Sequence, residues 1–119
     1  MKKIWIACLF FAFAPNIKAQ NISCNELLQA VVTGADHYSE VNSMALISSS
    51  FLDEVDAYEY EGVLFVVAKF KPKSGQFYGS TYIFCGVSKS NWNSFKNGFS
   101  GTYGERFHEY IRDYTCGCY

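Results

Sequence analysis

The stretch Val63–Phe70, VLFVVAKF, is apolar at every position except Lys69. Successive side chains of a β-strand point to opposite faces of a sheet. The residues at even positions would therefore line one face, and those at odd positions the other. A strand that is apolar on both faces is typical of a sheet covered on both sides. We therefore predict that this stretch is the central strand of a sheet that carries a packed layer on each face.

Two further strands are predicted beside the central one. Residues 51–60, FLDEVDAYEY, mix β-forming residues with acidic residues and end at a Glu61-Gly62 turn. Residues 81–87, TYIFCGV, follow a loop over residues 71–80 that contains proline, glycine and serine. These patterns predict a three-stranded antiparallel sheet in sequence order.

Helix signals flank the predicted sheet on both sides along the chain. Ser23 with Glu26, and Thr102 with Glu105, have the spacing of a capping box, and Ser88 is suited to cap a third helix. Apolar residues recur at helical spacing behind both boxes. We therefore predict an α+β fold in which two C-terminal helices cover one face of the sheet, with an N-terminal helix added on the other.

The first residues, MKKIWIACLFFAFAPNIKAQ, have the organisation of a secretory signal peptide. Lys2 and Lys3 precede an apolar run over residues 4–14 that is too short to span a bilayer. We predict cleavage after Ala19 and a periplasmic or secreted product without a membrane segment. Cleavage would remove three lysines and no acidic residue. The product would then have seven basic and eleven acidic residues, a net charge of −4.

The cysteines predict two disulfide bonds. Cys8 would leave with the signal, so that Cys24, Cys85, Cys116 and Cys118 remain, an even number in a small exported domain. We favour a pairing of Cys116 and Cys118 each with Cys24 or Cys85, in either order. A bond between Cys116 and Cys118 would instead close a small strained ring and indicate a redox pair. A zinc site of four thiolates is disfavoured, because a single residue separates Cys116 from Cys118 and structural zinc sites usually have spacers of two to four residues.

No catalytic set, metal site or cofactor is predicted. The acidic residues over 53–61 are interpreted as a solvated sheet edge, partly paired with lysines of the next strand. His37 is interpreted as ordinary surface polarity, since no nearby residue completes a metal or catalytic set. His108 and Asp113 are five residues apart on a predicted helix and do not face each other well, which argues against a triad with Cys116. We therefore expect that the protein is not an enzyme.

A series of weak motifs runs in order over residues 49–114. The residues that carry it are Ser50, Tyr58, Leu64, Val66, Phe70, Tyr82-Ile83-Phe84, Gly86-Val87, Trp92, Phe95, the run Thr102-Tyr103-Gly104-Glu105-Arg106-Phe107, Ile111 and Tyr114. In its order and residue types, this series of motifs resembles the KTSC domain, a small bacterial module also found at the C-terminus of some lysyl-tRNA synthetases. Phe84 stands where the family has a second tyrosine, Thr102 stands for a serine and His108 for an asparagine.

Together with the predicted signal peptide, the resemblance divides the chain into four parts. They are a signal peptide over residues 1–19, a helix and connector over 20–48, a KTSC-like domain over 49–116 and a tail over 117–119. The family has no established activity, and its synthetase context suggests RNA binding. The resemblance therefore implies a fold and a candidate binding surface, but no reaction.

The abundance of tyrosine and phenylalanine predicts a binding surface, since tyrosine-rich patches are typical of interfaces. We predict a monomeric, non-enzymatic module that binds a protein partner, whose identity is unknown, through the loop over 71–80 and Tyr78, Tyr82 and Phe84. One alternative, by family analogy, is single-stranded nucleic acid stacked on Tyr82 and Phe84, which the negative charge disfavours. Another is a thiol-redox protein that uses Cys116 and Cys118.

Overall fold

The computed structural model describes residues 23–118, and the predicted signal peptide and its cleavage site lie outside them. The described elements are α1 (Cys24–Gly34), β1 (Asp36–Val41), β2 (Leu52–Tyr60), β3 (Val63–Phe70), β4 (Ser80–Val87), α2 (Lys89–Asn97) and α3 (Tyr103–Tyr110). The fold is α+β, as predicted. Within residues 23–118, no helix combines the length and the apolar composition needed to span a bilayer.

The sheet has four strands in the order β1-β2-β3-β4, and all neighbouring pairs are antiparallel. The prediction of three strands is wrong, because Asp36–Val41, assigned to the connector, forms β1 at the sheet edge. Only Val41 of this strand is buried. The sequence DHYSEV therefore lacks the apolar alternation by which a strand is recognised, and pairing with β2 stabilises it instead.

The strand β3 is an interior strand, paired with β2 on one side and β4 on the other, as its sequence predicts. Two hydrophobic clusters contain its side chains. The larger cluster includes buried residues of β3 and buried rings of the last two helices: Leu64, Val66, Ala68, Trp92, Phe95 and Phe107. The smaller cluster includes Val31 of α1, Val67, Ile83 and Cys116. The two clusters use alternate positions of β3, as expected for a strand with two apolar faces.

The predicted helix starts are confirmed in atomic detail. Both capping boxes form: Ser23 accepts a hydrogen bond from the Glu26 backbone N–H, and Thr102 accepts one from Glu105, while each glutamate accepts one in return. Ser88 caps α2 by accepting from the backbone of Asn91. These bonds satisfy donors that the first turn of a helix leaves without intrahelical partners.

The cysteines pair as Cys24 with Cys118 and Cys85 with Cys116, with the sulfur atoms of each pair at bonding distance. The prediction that each tail cysteine joins a distant partner is confirmed, and the structure decides which partner. The chain after α3 turns back along the outer edge of β4, where the backbone N–H of Cys85 donates to the Tyr114 carbonyl oxygen at 2.7 Å. This contact brings Cys116 beside Cys85.

Candidate functional site

A groove with a volume of about 750 Å³ opens between the β3–β4 loop and the segment that follows α3. Five aromatic residues line it: Phe51, Phe70, Tyr82, Phe84 and Phe107. Its polar lining consists of Lys71, Lys73, Gln76, Ser80, His108, Arg112, Asp113 and Thr115, all exposed except the half-buried Lys71. We call this site the aromatic groove. Its lining joins an apolar surface to a polar margin, which is the usual composition of a binding site.

The rings of the aromatic groove pack on one another. Phe84 and Phe107 belong to the larger core cluster, and Phe51 and Phe70 pack against it. Phe107 is the centre of this packing, with ring centroids at 5.8 Å from Phe70 and 5.4 Å from Phe84. Tyr82 packs against Phe70 at 5.3 Å. These distances lie within the range of favourable aromatic contacts. The apolar wall of the groove is therefore the margin of the core, where Phe51, Phe70 and Tyr82 keep part of their surface exposed.

Positive charge dominates the margin of the aromatic groove. Lys73 and Arg112 are exposed there, and Asp113 is the one acid among the lining residues. Arg112 Nη1 lies 3.2 Å from His108 Nδ1, and because a guanidinium only donates, Nδ1 accepts this bond. The groove is thus locally positive in a chain whose formal net charge is −1.

Lys71 has a structural role at the back of the groove. Its ammonium donates to the carbonyl oxygens of Leu46 and Ile47, each at 3.2 Å, and to that of Ser49. These carbonyls belong to the turn between β1 and β2. Lys71 therefore ties the end of β3 to that turn and is occupied before any ligand binds.

Replacing Lys71 with methionine is expected to lower the free energy of unfolding by about 1.5–3 kcal/mol, as for other hydrogen bonds from charged donors. The methionine keeps most of the aliphatic stem but removes the donor from three carbonyl oxygens. Urea denaturation measures the change. The matched control is Lys73→Met, since no side-chain bond of Lys73 occurs within residues 23–118, and we expect it to stay within about 0.5 kcal/mol of the parent. Equal effects of the two substitutions would contradict this role.

The structure brings two of the three predicted binding residues to the groove. Tyr82 and Phe84 are two positions apart on β4, and both line it, with exposed fractions of 38% and 6%. Tyr78 is 87% exposed on the loop and does not line the groove. Tyr82 therefore offers ring surface to a ligand, while Phe84 offers very little.

Several groove residues were not predicted from the sequence as binding residues. Phe51 precedes β2, Phe70 ends β3, Phe107 lies in α3 and Arg112 follows that helix. No sequence pattern predicts that these four residues share a site, because they are far apart in the chain and come together only in the folded protein. Phe107 is one of the apolar residues that recur at helical spacing behind the Thr102 capping box. This spacing predicts its burial correctly, but it does not indicate that the ring also borders a groove.

A second group of side chains meets on β1 and β2. His37 Nε2 lies 3.2 Å from Asp56 Oδ1 and 3.5 Å from Glu40 Oε1. Burial, together with the neighbouring Glu54, raises the pKa of Asp56 to about 6. Sequence reasoning missed this group because β1 was not recognised, so nothing placed His37 opposite β2.

Comparisons with known proteins identify no relative of this chain. No protein-family model matches it, and neither a search of curated proteins nor a search of solved structures finds a match. The resemblance to the KTSC domain rests on the ordered motifs alone and stays a prediction.

Proposed function

We propose that the protein is an exported, non-enzymatic module of the KTSC type that binds a segment of a partner protein in the aromatic groove. The main support for the proposal is that one groove combines a partly exposed aromatic wall with exposed cations. The proposed partner segment presents an apolar or aromatic side chain next to a carboxylate. The two cysteine pairs support an oxidising compartment outside the cytoplasm.

The aromatic wall would supply most of the binding energy. Tyrosine and arginine are the residue types that most often dominate protein interfaces when they pack against a partner. Tyr82 is partly exposed and held by Phe70, so little side-chain freedom is lost when a ligand covers it. An apolar side chain of the partner would cover this ring and displace water from the groove.

The margin of the groove would select an acidic partner. Lys73 and Arg112 are exposed on opposite sides of the lining, one on the β3–β4 loop and the other after α3. Complementary charge increases the association rate and disfavours partners of the wrong sign. A carboxylate beside the apolar side chain would contact these cations, whereas a basic segment would be repelled.

Single-stranded nucleic acid is the weaker candidate for the same groove. Bases stack on open ring faces, and only 6% of Phe84 is exposed. A thiol-redox role is also weaker, because Cys116 and Cys118 are each bonded to a distant partner and Cys116 is buried.

Selection of peptides from a random displayed library against the oxidised protein tests the proposal. We expect the selected peptides to combine an acidic residue with an aromatic or large aliphatic one. Tyr82→Ala and Lys73→Glu should each weaken their binding at least tenfold, which corresponds to about 1.4 kcal/mol. Fluorescence polarisation measures the dissociation constants, and circular dichroism checks that each variant is folded.

Two variants outside the groove are matched controls. Tyr38 is 43% exposed, close to the value for Tyr82, and Lys89 is an exposed lysine on α2; neither lines the groove. Tyr38→Ala and Lys89→Glu should leave peptide affinity unchanged. Peptides that bind all four variants equally would contradict the proposal, and so would tighter binding of a single-stranded oligonucleotide than of any selected peptide.

A further inference from the structure

We propose that His37, Glu40 and Asp56 form a binding site for one divalent transition-metal ion of the zinc type. The three residues line neither the aromatic groove nor any other part of the proposed peptide site. The inference is therefore independent of the proposed function. It rests on the strand geometry that brings these side chains together, on the distances between their ligand atoms and on their chemistry.

A β-bulge creates the site. His37 and Glu40 are three positions apart, and in a regular strand such residues point to opposite faces. The pairing of β1 with β2 shifts register between His37 and Ser39, which leaves the residue between them without a counterpart. The extra residue reverses the alternation, so both side chains reach the same face. There Glu40 lies directly opposite Asp56 of β2.

The distances from the His37 nitrogen to the two carboxylate oxygens suit a zinc site. Tetrahedral zinc with bonds of about 2.0–2.1 Å to nitrogen and oxygen keeps two ligand atoms roughly 3.3–3.4 Å apart. His37 Nε2 lies 3.2 Å from Asp56 Oδ1 and 3.5 Å from Glu40 Oε1, and all three ligand atoms lie within 4.8 Å of one another.

Two of the three ligands are held in place by their surroundings. The His37 imidazole and the Tyr58 ring form an edge-to-face pair, with centroids 5.4 Å apart and planes at 84°. The Asp56 side chain is only 11% exposed, so its carboxylate has little freedom. His37 and Glu40 are each about half exposed, which leaves an entry path for an ion and room for a water ligand. Ordered ligands with one open position suit a bound metal.

The donor set selects the kind of ion. An imidazole nitrogen favours zinc, copper or nickel, whereas calcium and magnesium prefer sites made entirely of oxygen ligands. Two carboxylates balance the charge of a divalent ion. The Lys69 ammonium pairs with Glu54 at 3.4 Å.

Calorimetric titration of zinc chloride into the oxidised, untagged protein tests the inference. We expect one saturable site per chain, and we expect an excess of magnesium or calcium to leave it intact. His37→Gln and Glu40→Gln should each weaken zinc binding at least about tenfold, since even residues outside the ligand shell contribute this much in known sites. Glu109→Gln, which neutralises an exposed acid on α3, is the matched control and should keep the parent affinity.

Nitrogen-detected NMR of the imidazole side chains provides a second measurement. The nitrogen chemical shifts of His37 would not respond to zinc if this residue had only a structural role. Zinc should shift the His37 Nε2 resonance and leave that of His108, the other histidine of the chain, in place. The absence of saturable binding would overturn the inference. Unchanged affinity in His37→Gln, or binding that appears only after the disulfides are reduced, would overturn it as well.

Discussion

Replacing Phe107 with alanine is expected to lower the free energy of unfolding by about 3–5 kcal/mol, as for other buried rings. Phe107 is almost fully buried in the larger core cluster. Its ring centroid lies 6.1 Å from that of Phe51, 5.8 Å from Phe70, 5.4 Å from Phe84 and 5.9 Å from Phe95. Truncation would leave a cavity that four large rings border, and rings held by the sheet and the helices cannot close it fully.

Urea denaturation of the variant and the parent measures this change. Phe99→Ala is the control, because Phe99 is fully exposed, and we expect a change within about 0.5 kcal/mol. Phe107 also lines the aromatic groove, so peptide binding should weaken in the same variant. A loss below about 1 kcal/mol would show that the ring cluster repacks, which its dense mutual contacts argue against.

Removal of the disulfide between Cys24 and Cys118 by double alanine substitution is expected to cost about 4–5 kcal/mol. The two cysteines are 94 positions apart, so the bond closes a loop that includes nearly all of the described chain. A long closed loop restricts the unfolded chain strongly and thereby raises the stability of the folded state. Urea denaturation of the oxidised double variant measures the loss.

The second disulfide provides the comparison. Cys85 and Cys116 are 31 positions apart, and the same loop relation predicts a contribution of about 3–4 kcal/mol. Peptide mapping without reduction must first find both linkages in the parent protein and no free thiol. A peptide in which Cys116 is linked to Cys118 would contradict the pairing. A loss below about 1 kcal/mol for the longer loop would contradict the entropic argument.

The local signals in the sequence were sufficient for several parts of the fold. The apolar run of β3 predicted an interior strand with two buried faces, because the period of a strand is a property of the backbone alone. The capping boxes at Ser23 and Thr102 were recognised because a cap and its partner are three residues apart. Such features depend on neighbours in the chain and need no knowledge of the tertiary structure.

The candidate sites were predictable only in part. Tyr82 and Phe84 were identified from a motif, and both line the groove. Their partners Phe51 and Phe107 come from distant parts of the chain, and Arg112 enters only because the chain turns after α3. The three ligands of the proposed metal site were not predicted, because their alignment depends on a β-bulge for which the sequence has no recognisable signal.

Patterns within the chain were enough to predict the class of the fold, the interior position of β3, the starts of the helices and the presence of two disulfide bonds. Each follows from side-chain periodicity, capping chemistry or cysteine count. Three contacts are seen only in the folded protein: Asp36–Val41 joins the sheet, Cys118 bonds to Cys24 and His37 faces Asp56. These contacts join residues from 14 to 94 positions apart, so their free energy appears only when the sheet and the returning tail have formed.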